Sequence, residues 1–240
     1  AGTNLYYLIN VLRQSQLKNY YLKGGNARLP ERMAEDLPVR YNVTVEGLIQ
    51  GDGRIAGVKL ADGSNITARH VILACPAGTA GDLLPESYGK PKAFLQQFPH
   101  TPYALVFFFL REPLPDGVIL YAGHPYRDAY FNAALDHSVY TPAHVPSGNA
   151  VISAWAAFPE ALELATWPDE QVIDKATSDL ELLLPGFRPK IAHAEVVRHD
   201  WGVARYDPGM YQKIIDFKEE SSRWDGLSFA GTDYNCPHME

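Results

Sequence analysis

The segment Leu227–Glu240, LSFAGTDYNCPHME, constrains this chain more than any other. Leu227, Phe229 and Ala230 form a short apolar run of strand type. Gly231 allows a sharp turn and a close approach of the backbone to another group. Thr232 and Asp233 then stand as polar tips at the carboxyl end of the strand, where open α/β sheets present ligand-binding groups. A second run, Val71-Ile72-Leu73-Ala74, is wholly apolar, as expected of a strand buried on both faces, and Cys75-Pro76 ends it. The two strands are expected to share one sheet. If they lay in different sheets, their tips could not form one cradle.

The remaining composition narrows the class. A chain of 240 residues, 46% hydrophobic and 20% charged, holds one large or two small globular domains. A net charge of -7 argues against a nucleic-acid surface. No apolar run reaches membrane-spanning length, which leaves room for peripheral membrane contact only. No signal peptide is evident, and two cysteines imply no disulfide framework, so a reducing, cytoplasmic setting is expected. Asn42-Val43-Thr44 and Asn65-Ile66-Thr67 match the glycosylation pattern by chance in that setting.

Along the chain, Leu5, Leu8, Ile9 and Leu12 have helical spacing, which predicts a helix over Ala1–Tyr21. Gly24-Gly25-Asn26 then introduces a second helix carrying Leu29, Met33 and Leu37. Strands are predicted around Val43–Ile49, Ile55–Leu60 and Asn65–Ala68, with Ala61-Asp62-Gly63-Ser64 as a tight turn. Gly51, Gly53 and Gly57 imitate a dinucleotide fingerprint, but a strand follows them where a helix is required, so they mark a hairpin. The stretch Gly78–Phe98 reads as polar, with a helix near Lys92–Gln97. Thr101–Leu110 reads as a long strand buried on both faces, one of which could line a pocket. Further strands are expected at Val118–Ala122, Ala129–Ala134, Ala150–Trp155 and Ala192–Asp200. A helix follows Pro168 with the stripe Val172, Ile173, Ala176, Leu180, Leu183 and Leu184. Trp201–Lys218 reads as a loop-rich connection.

Phe229-Ala230-Gly231-x-Asp233 followed by Met239-Glu240 resembles the second flavin-contacting motif of the FAD-dependent amine oxidase and protoporphyrinogen oxidase-like family. The segment Gly24-Gly25-x-x-x-Leu29-Pro30 and the strand Val71–Ala74 with Pro76 are similar to the same family's pattern, in the same order. The resemblance implies an α/β (α+β) chain. It would comprise an incomplete FAD-binding, Rossmann-like part with a three-stranded β insertion, and a substrate domain with a mixed or antiparallel sheet and helices. It places a helical segment of the substrate domain at 1–23, the partial FAD-binding domain at 24–90 and 216–240, and the substrate domain at 91–215. The family's glycine fingerprint would lie upstream of Ala1, and a further helix would open after Glu240, with its N-terminus aimed at the flavin. An isolated chain of this kind is expected to bind FAD poorly.

By that resemblance the cofactor-binding residues are Val45 (with Leu48, near the adenine end), Ala74, Pro76, Gly231, Thr232, Asp233, Met239 and Glu240. The cofactor is FAD, held non-covalently: Pro208-Gly209-Met210-Tyr211 stands where relatives with attached flavin carry a cysteine. Leu105 stands where amine oxidases have a lysine beside the flavin. That favours hydride removal from a bulky, mostly apolar small molecule over amine oxidation. Tyr103, Leu105, Phe107, Trp201 and Tyr211 are the candidate substrate-pocket residues, with Tyr130 and Trp155 as further aromatics; core packing is the competing explanation for strand aromatics. His199 is a candidate general base, although a structural histidine is the simpler reading. His137 and His144 lack the carboxylate pattern of a metal site. Cys75 and Cys236 read as neighbouring buried thiols. The other functional class is a ligand-binding module, or a split subunit that docks on a separate FAD-binding chain.

Overall fold

The structure is a computed structural model that describes residues 20–115, 117–118, 120–122, 129–156 and 159–234. The helix expected over Ala1–Tyr21 lies almost wholly outside them. The described residues form two compact units, one built from Pro38–His100 with 204–234, the other from 20–37 with Thr101–Val203.

The first unit opens with an antiparallel sheet of β1 (Val45–Gly51), β2 (Arg54–Leu60) and β3 (Asn65–Thr67), in the order β1-β2-β3. The β1–β2 connection is two residues long, Asp52 with φ 51° and Gly53 with φ 77°. Both central residues are left-handed, which is the turn that matches strand twist in a short hairpin. The glycine triplet is therefore a hairpin. Gly57 serves the packing of β2 on β3, because a Cβ there would overlap the Ile66 carbonyl.

Next come β4 (Val71–Leu73) and β10 (Leu227–Phe229), which pair in parallel with Leu227 opposite Val71 and Phe229 opposite Leu73. The two apolar runs thus share one sheet, as their composition requires. Gly226 makes this possible. It has φ 78°, a Cβ on it would overlap the Ile55 carbonyl, and its own carbonyl accepts from Val71 N–H at 2.8 Å. The adjacent Asp225 carbonyl accepts from Ile55 N–H at 3.0 Å. One turn thereby stitches β10 to both β2 and β4. Burial of β4 on both faces is not observed: Leu73 is 6% exposed, but Ile72 is 63% exposed. The paired side chains alternate, and among the described residues the Ile72 side of this two-stranded sheet has no covering layer.

Two segments without a helical expectation from the sequence are helical. Ala77–Leu83 forms α2, following the short α1 at Arg28–Ala34, and Met210–Ser221 forms α7. The first was obscured by Gly78, Thr79 and Gly81, which are poor helix formers in isolation. Here they permit close packing: a Cβ on Gly81 would stand 2.7 Å from Gln96 N, in the helix α3 (Gly89–Gln96). The second follows Pro208-Gly209, and its stripe Met210, Ile214 and Phe217 at i, i+4 and i+7 is buried with Leu73, Leu95, Phe98 and Leu227. Helix α1 forms where expected, but its apolar residues face outward, Leu29 at 57% and Met33 at 70% exposure.

The second unit is a five-stranded sheet in the order β6-β7-β8-β5-β9. Its strands are β5 (His100–Leu110), β6 (Leu120–Ala122), β7 (Phe131–Asp136), β8 (Ala150–Ala156) and β9 (Ile191–Ala204). The neighbours β6–β7, β7–β8 and β8–β5 are antiparallel. Short helices α4 (His137–Tyr140) and α5 (Glu160–Leu164) precede α6 (Asp169–Leu183), whose Val172, Ala176 and Leu180 pack with Ala104, Val106, Phe108, Ile152 and Ala154. Burial of β5 on both faces is likewise corrected to strict alternation. Ala104, Val106, Phe108 and Leu110 are buried, whereas Tyr103, Leu105 and Phe107 are half-buried and Phe109 is exposed. One face belongs to the helix-covered core; the other is an aromatic, partly open surface. Asp179 on α6 is 3% exposed and accepts from both Tyr130 and Phe131 N–H, so the entry of β7 is fixed by a buried carboxylate.

Candidate functional site

The parallel pair β4–β10 decides where the tip residues go. Ala230 N–H donates to the Leu73 carbonyl at 3.0 Å, which continues the ladder one step past the paired strands. Ala74, Pro76 and Gly231 are therefore brought to one sheet end, and all three are exposed. Gly231 adopts φ 134°, a conformation open to glycine. Thr232–Tyr234 then folds into one 3-10 turn that returns over the end of β4. Tyr234 Oη donates to the Cys75 carbonyl at 3.1 Å, and Tyr206 Oη donates to the Thr232 carbonyl at 2.7 Å. Burial, then the neighbouring Cys75 and Asp233, hold the Tyr234 phenol far above its ordinary range, so it remains a donor.

Asp233 is the centre of this end. It is 8% exposed, and its Oδ2 accepts from Ala77 N–H at 2.8 Å and contacts His100 Nε2 at 2.9 Å. Ala77 is the first residue of α2, whose flanking Pro76 has no side-chain donor or acceptor to cap it. A carboxylate from 156 residues further along the chain supplies that cap. Among the described residues Oδ1 receives no bond, so one carboxylate oxygen remains to accept from a ligand hydroxyl. An acceptor oxygen beside exposed backbone at a parallel-strand end fits a hydroxyl-rich chain such as the ribityl of a flavin. Burial pushes the Cys75 thiol upward in pKa, and the Asp233 charge adds to it, which disfavours the thiolate. Cys236, Met239 and Glu240 lie outside the described residues.

Val45 opens β1, half-buried and opposite Leu60, in the three-stranded sheet. Tyr103, Leu105 and Phe107 fall together on the open face of the second unit's sheet, with Trp155 opposite Leu105 and Ser153 opposite Phe107. Trp201 lies on β9, 51% exposed. Its neighbour Gly202 fits tightly against β5: a Cβ there would stand 2.5 Å from Tyr103 Cβ. Tyr211 belongs to the first unit, on α7, with its ring 5.3 Å from that of Tyr206. Tyr130 stacks near Trp167 at 5.6 Å and donates to Glu163 from its hydroxyl, a peripheral role. His199 lies on β9 and is exposed. Among the described residues no cluster of His, Cys, Asp and Glu could hold a metal, and no helix is long and apolar enough to cross a membrane.

His100, Tyr206 and Gly226 were missed by sequence reasoning. The first two act on partners more than twenty residues distant, and neither stands in a local pattern. Gly226 carried a signal, an Asp-Gly pair directly before a strand, that reads as an ordinary turn.

A parallel strand pair with an inserted antiparallel sheet, joined to a five-stranded sheet unit, defines the α/β flavoprotein-like class. Within it, the family model for flavin containing amine oxidoreductases matches residues 3–238, and the chain belongs to that family. No curated protein matches it in sequence. Among solved structures it is similar to a candidate protoporphyrinogen oxidase from Exiguobacterium sp. 255-15, at 20% identity and a TM-score of 0.77, over 95% of this chain and 51% of that one. It is similar to reduced UDP-galactopyranose mutase at 12% identity and a TM-score of 0.70, over 98% of this chain and 52% of that one. A putrescine oxidase variant aligns at 15% identity and a TM-score of 0.71, over 90% and 48%. The chain spans about half the length of these structures.

Proposed function

We propose that this chain is the substrate-domain-bearing portion of an FAD-dependent oxidoreductase that takes hydride from a bulky, mostly apolar small molecule. The observation that carries this is the parallel register of β4 and β10, which brings Ala74, Pro76 and Gly231–Asp233 to one exposed sheet end. In this reading Asp233 Oδ1, Thr232 and the backbone at Ala74 and Gly231 hold the ribityl and phosphate region. Val45 serves the adenine end, and Met239 and Glu240 the flavin ring. The isoalloxazine, when bound, supplies the hydride acceptor, and the chain's own residues orient the reactant and exclude water. The second unit acts as the substrate domain, with Tyr103, Leu105 and Phe107 as its apolar surface and with Trp201 as a further contact.

The absence of a lysine at Leu105 and of a cysteine near Met210 supports non-covalent FAD and a C–H rather than a simple amine substrate. The uncovered Ile72 supports completion of the two-stranded sheet by further polypeptide, consistent with relatives twice as long. A cytoplasmic setting fits a chain whose Cys75 is a free thiol.

The test is an absorbance spectrum with cofactor extraction on the complete gene product, followed by flavin bleaching with apolar candidate substrates under anaerobic conditions. A visible flavin band and extracted FAD are expected. A folded, complete product that stays colourless with added FAD would end this reading.

A further inference from the structure

On the open face of the five-stranded sheet, β5, β7 and β8 present Leu105, Phe107, Leu135 and Trp155 around one buried polar side chain, while β9 adds His193 beside Phe109 at the far edge. That polar side chain is Ser153 on β8, opposite Phe107 on β5 and Leu135 on β7. Ser153 is 2% exposed, and two neighbours contact its hydroxyl. Trp155 Nε1 donates to Ser153 Oγ at 3.1 Å, and His137 Nε2 lies 2.9 Å from the same oxygen. The His137 ring centroid stands 6.0 Å from that of Phe107, with the two rings tilted by 35°, so the imidazole borders the aromatic face.

Counting protons orients this chain of bonds. An indole nitrogen can only donate, so Trp155 occupies one lone pair of Ser153 Oγ. The hydroxyl proton then needs an acceptor, and among the described residues His137 Nε2 is the one available. That arrangement leaves the imidazole proton on Nδ1, to which no described residue offers an acceptor. The alternative, Nε2–H donating to Ser153, would strand a buried hydroxyl proton, an expensive fault. Burial also pushes His137 below its ordinary value, outweighing the attraction of Asp136, while His144 pushes the same way as burial. The ring is therefore a neutral donor fixed in one tautomer.

We propose that the triad Trp155–Ser153–His137 is the polar recognition point of the substrate face, and that it takes an acceptor oxygen, carbonyl or carboxylate, on an otherwise apolar molecule. The proposal rests on the reading of this face as the substrate surface. An ammonium group is disfavoured, because it has no lone pair for Nδ1–H and would force the tautomer that strands the Ser153 proton. The consequence is a specificity within the family: oxygen-bearing apolar substrates are accepted and amines are rejected, by about tenfold, the worth of one hydrogen bond in affinity.

The test uses the 240-residue chain and four matched probes: 2-ethylnaphthalene, 2-naphthylacetone, 2-naphthylacetate and 2-(2-naphthyl)ethylamine. Nitrogen-15 NMR of the free protein should show His137 as the Nδ1–H tautomer; an Nε2–H tautomer overturns the proposal before any ligand is added. In titrations the ketone or the acetate should bind about tenfold tighter than the amine. A gain for the ketone alone identifies a neutral carbonyl as the ligand group, and a gain for the acetate identifies a carboxylate. His137→Phe should abolish the preference while 2-ethylnaphthalene binding stays within about twofold, and Ser153→Ala should weaken the preference by freeing the tautomer. Equal or better binding of the amine to the wild type, or a preference that survives His137→Phe, overturns the assignment and leaves the apolar face standing. Failure of all four probes to bind overturns the reading of the face itself, and the proposal with it.

Discussion

Replacing Asp233 by alanine tests whether the second flavin-type motif is also what holds its own site together. The carboxylate accepts from Ala77 N–H at 2.8 Å and contacts His100 Nε2 at 2.9 Å, in a setting where the residue is 8% exposed. A hydrogen bond to a charged group contributes ~1.5–3 kcal/mol, and a buried donor left without its acceptor keeps its full desolvation cost. Two such contacts on one oxygen are not additive, so Asp233→Ala should destabilise the first unit by ~3–4 kcal/mol. Asp233→Asn retains an oxygen for one donor and turns an amide toward the other, and should cost ~1–2 kcal/mol. Because the chain has two units, urea unfolding should be followed separately in each by assigned NMR resonances. Amide exchange at Ala77 gives a local readout: its protection should fall in Asp233→Ala and partly persist in Asp233→Asn. Destabilisation below ~0.5 kcal/mol with Ala77 still protected would refute the capping argument and leave Asp233 free for the ligand alone.

Three further outcomes follow from the packing. Gly226→Ala places a Cβ into the Ile55 carbonyl at a left-handed φ, and should cost ~2–4 kcal/mol in denaturant unfolding of the first unit, far above a surface Gly→Ala. Gly202→Ala pushes on Tyr103, so its main signature should be shifted Tyr103 and Thr101 resonances with a stability loss of ~1–3 kcal/mol. His137 is held below its ordinary value of 6.5 by burial, so the folded state binds its proton less readily than the unfolded chain. Its contribution to stability is complete above pH 6.5 and is lost progressively as the pH falls below that value. His137→Gln should flatten that part of the second unit's stability profile, and an unchanged slope would contradict the assignment.

The strands were the legible part of this fold. Val71–Leu73 announces itself by uninterrupted apolar character and Leu227–Phe229 by apolar residues on either side of Ser228, and the two pair in parallel. The hairpin around Gly51 and Gly53 was legible because a strand pattern, Ile55–Leu60, follows the glycines where a dinucleotide fold needs a helix. Helix α7 was not: Met210, Ile214 and Phe217 have the right spacing, but the intervening charges and the preceding Pro-Gly made loop equally plausible. Helix α2 owes its existence to tertiary packing of small residues, which no local propensity reports. The expectation of double burial failed at Ile72 and on β5 for the same reason. Apolar density alone does not distinguish a covered face from one kept open for a ligand or for further polypeptide. In the candidate site, Gly231–Asp233 could be read from order and residue type. The partnership of Asp233 with His100 and Ala77 could not, because it joins residues 133 and 156 positions apart.

If the carboxyl ends of β4 and β10 form the proposed cofactor contact, bound FAD should shield their backbone. Amide hydrogen exchange on the complete gene product, with and without FAD, tests this directly. Slowed exchange concentrated at residues 74–78 and 230–234 is expected when FAD is added. Saturation with FAD that leaves both stretches unchanged and protects other segments would contradict the proposed contact.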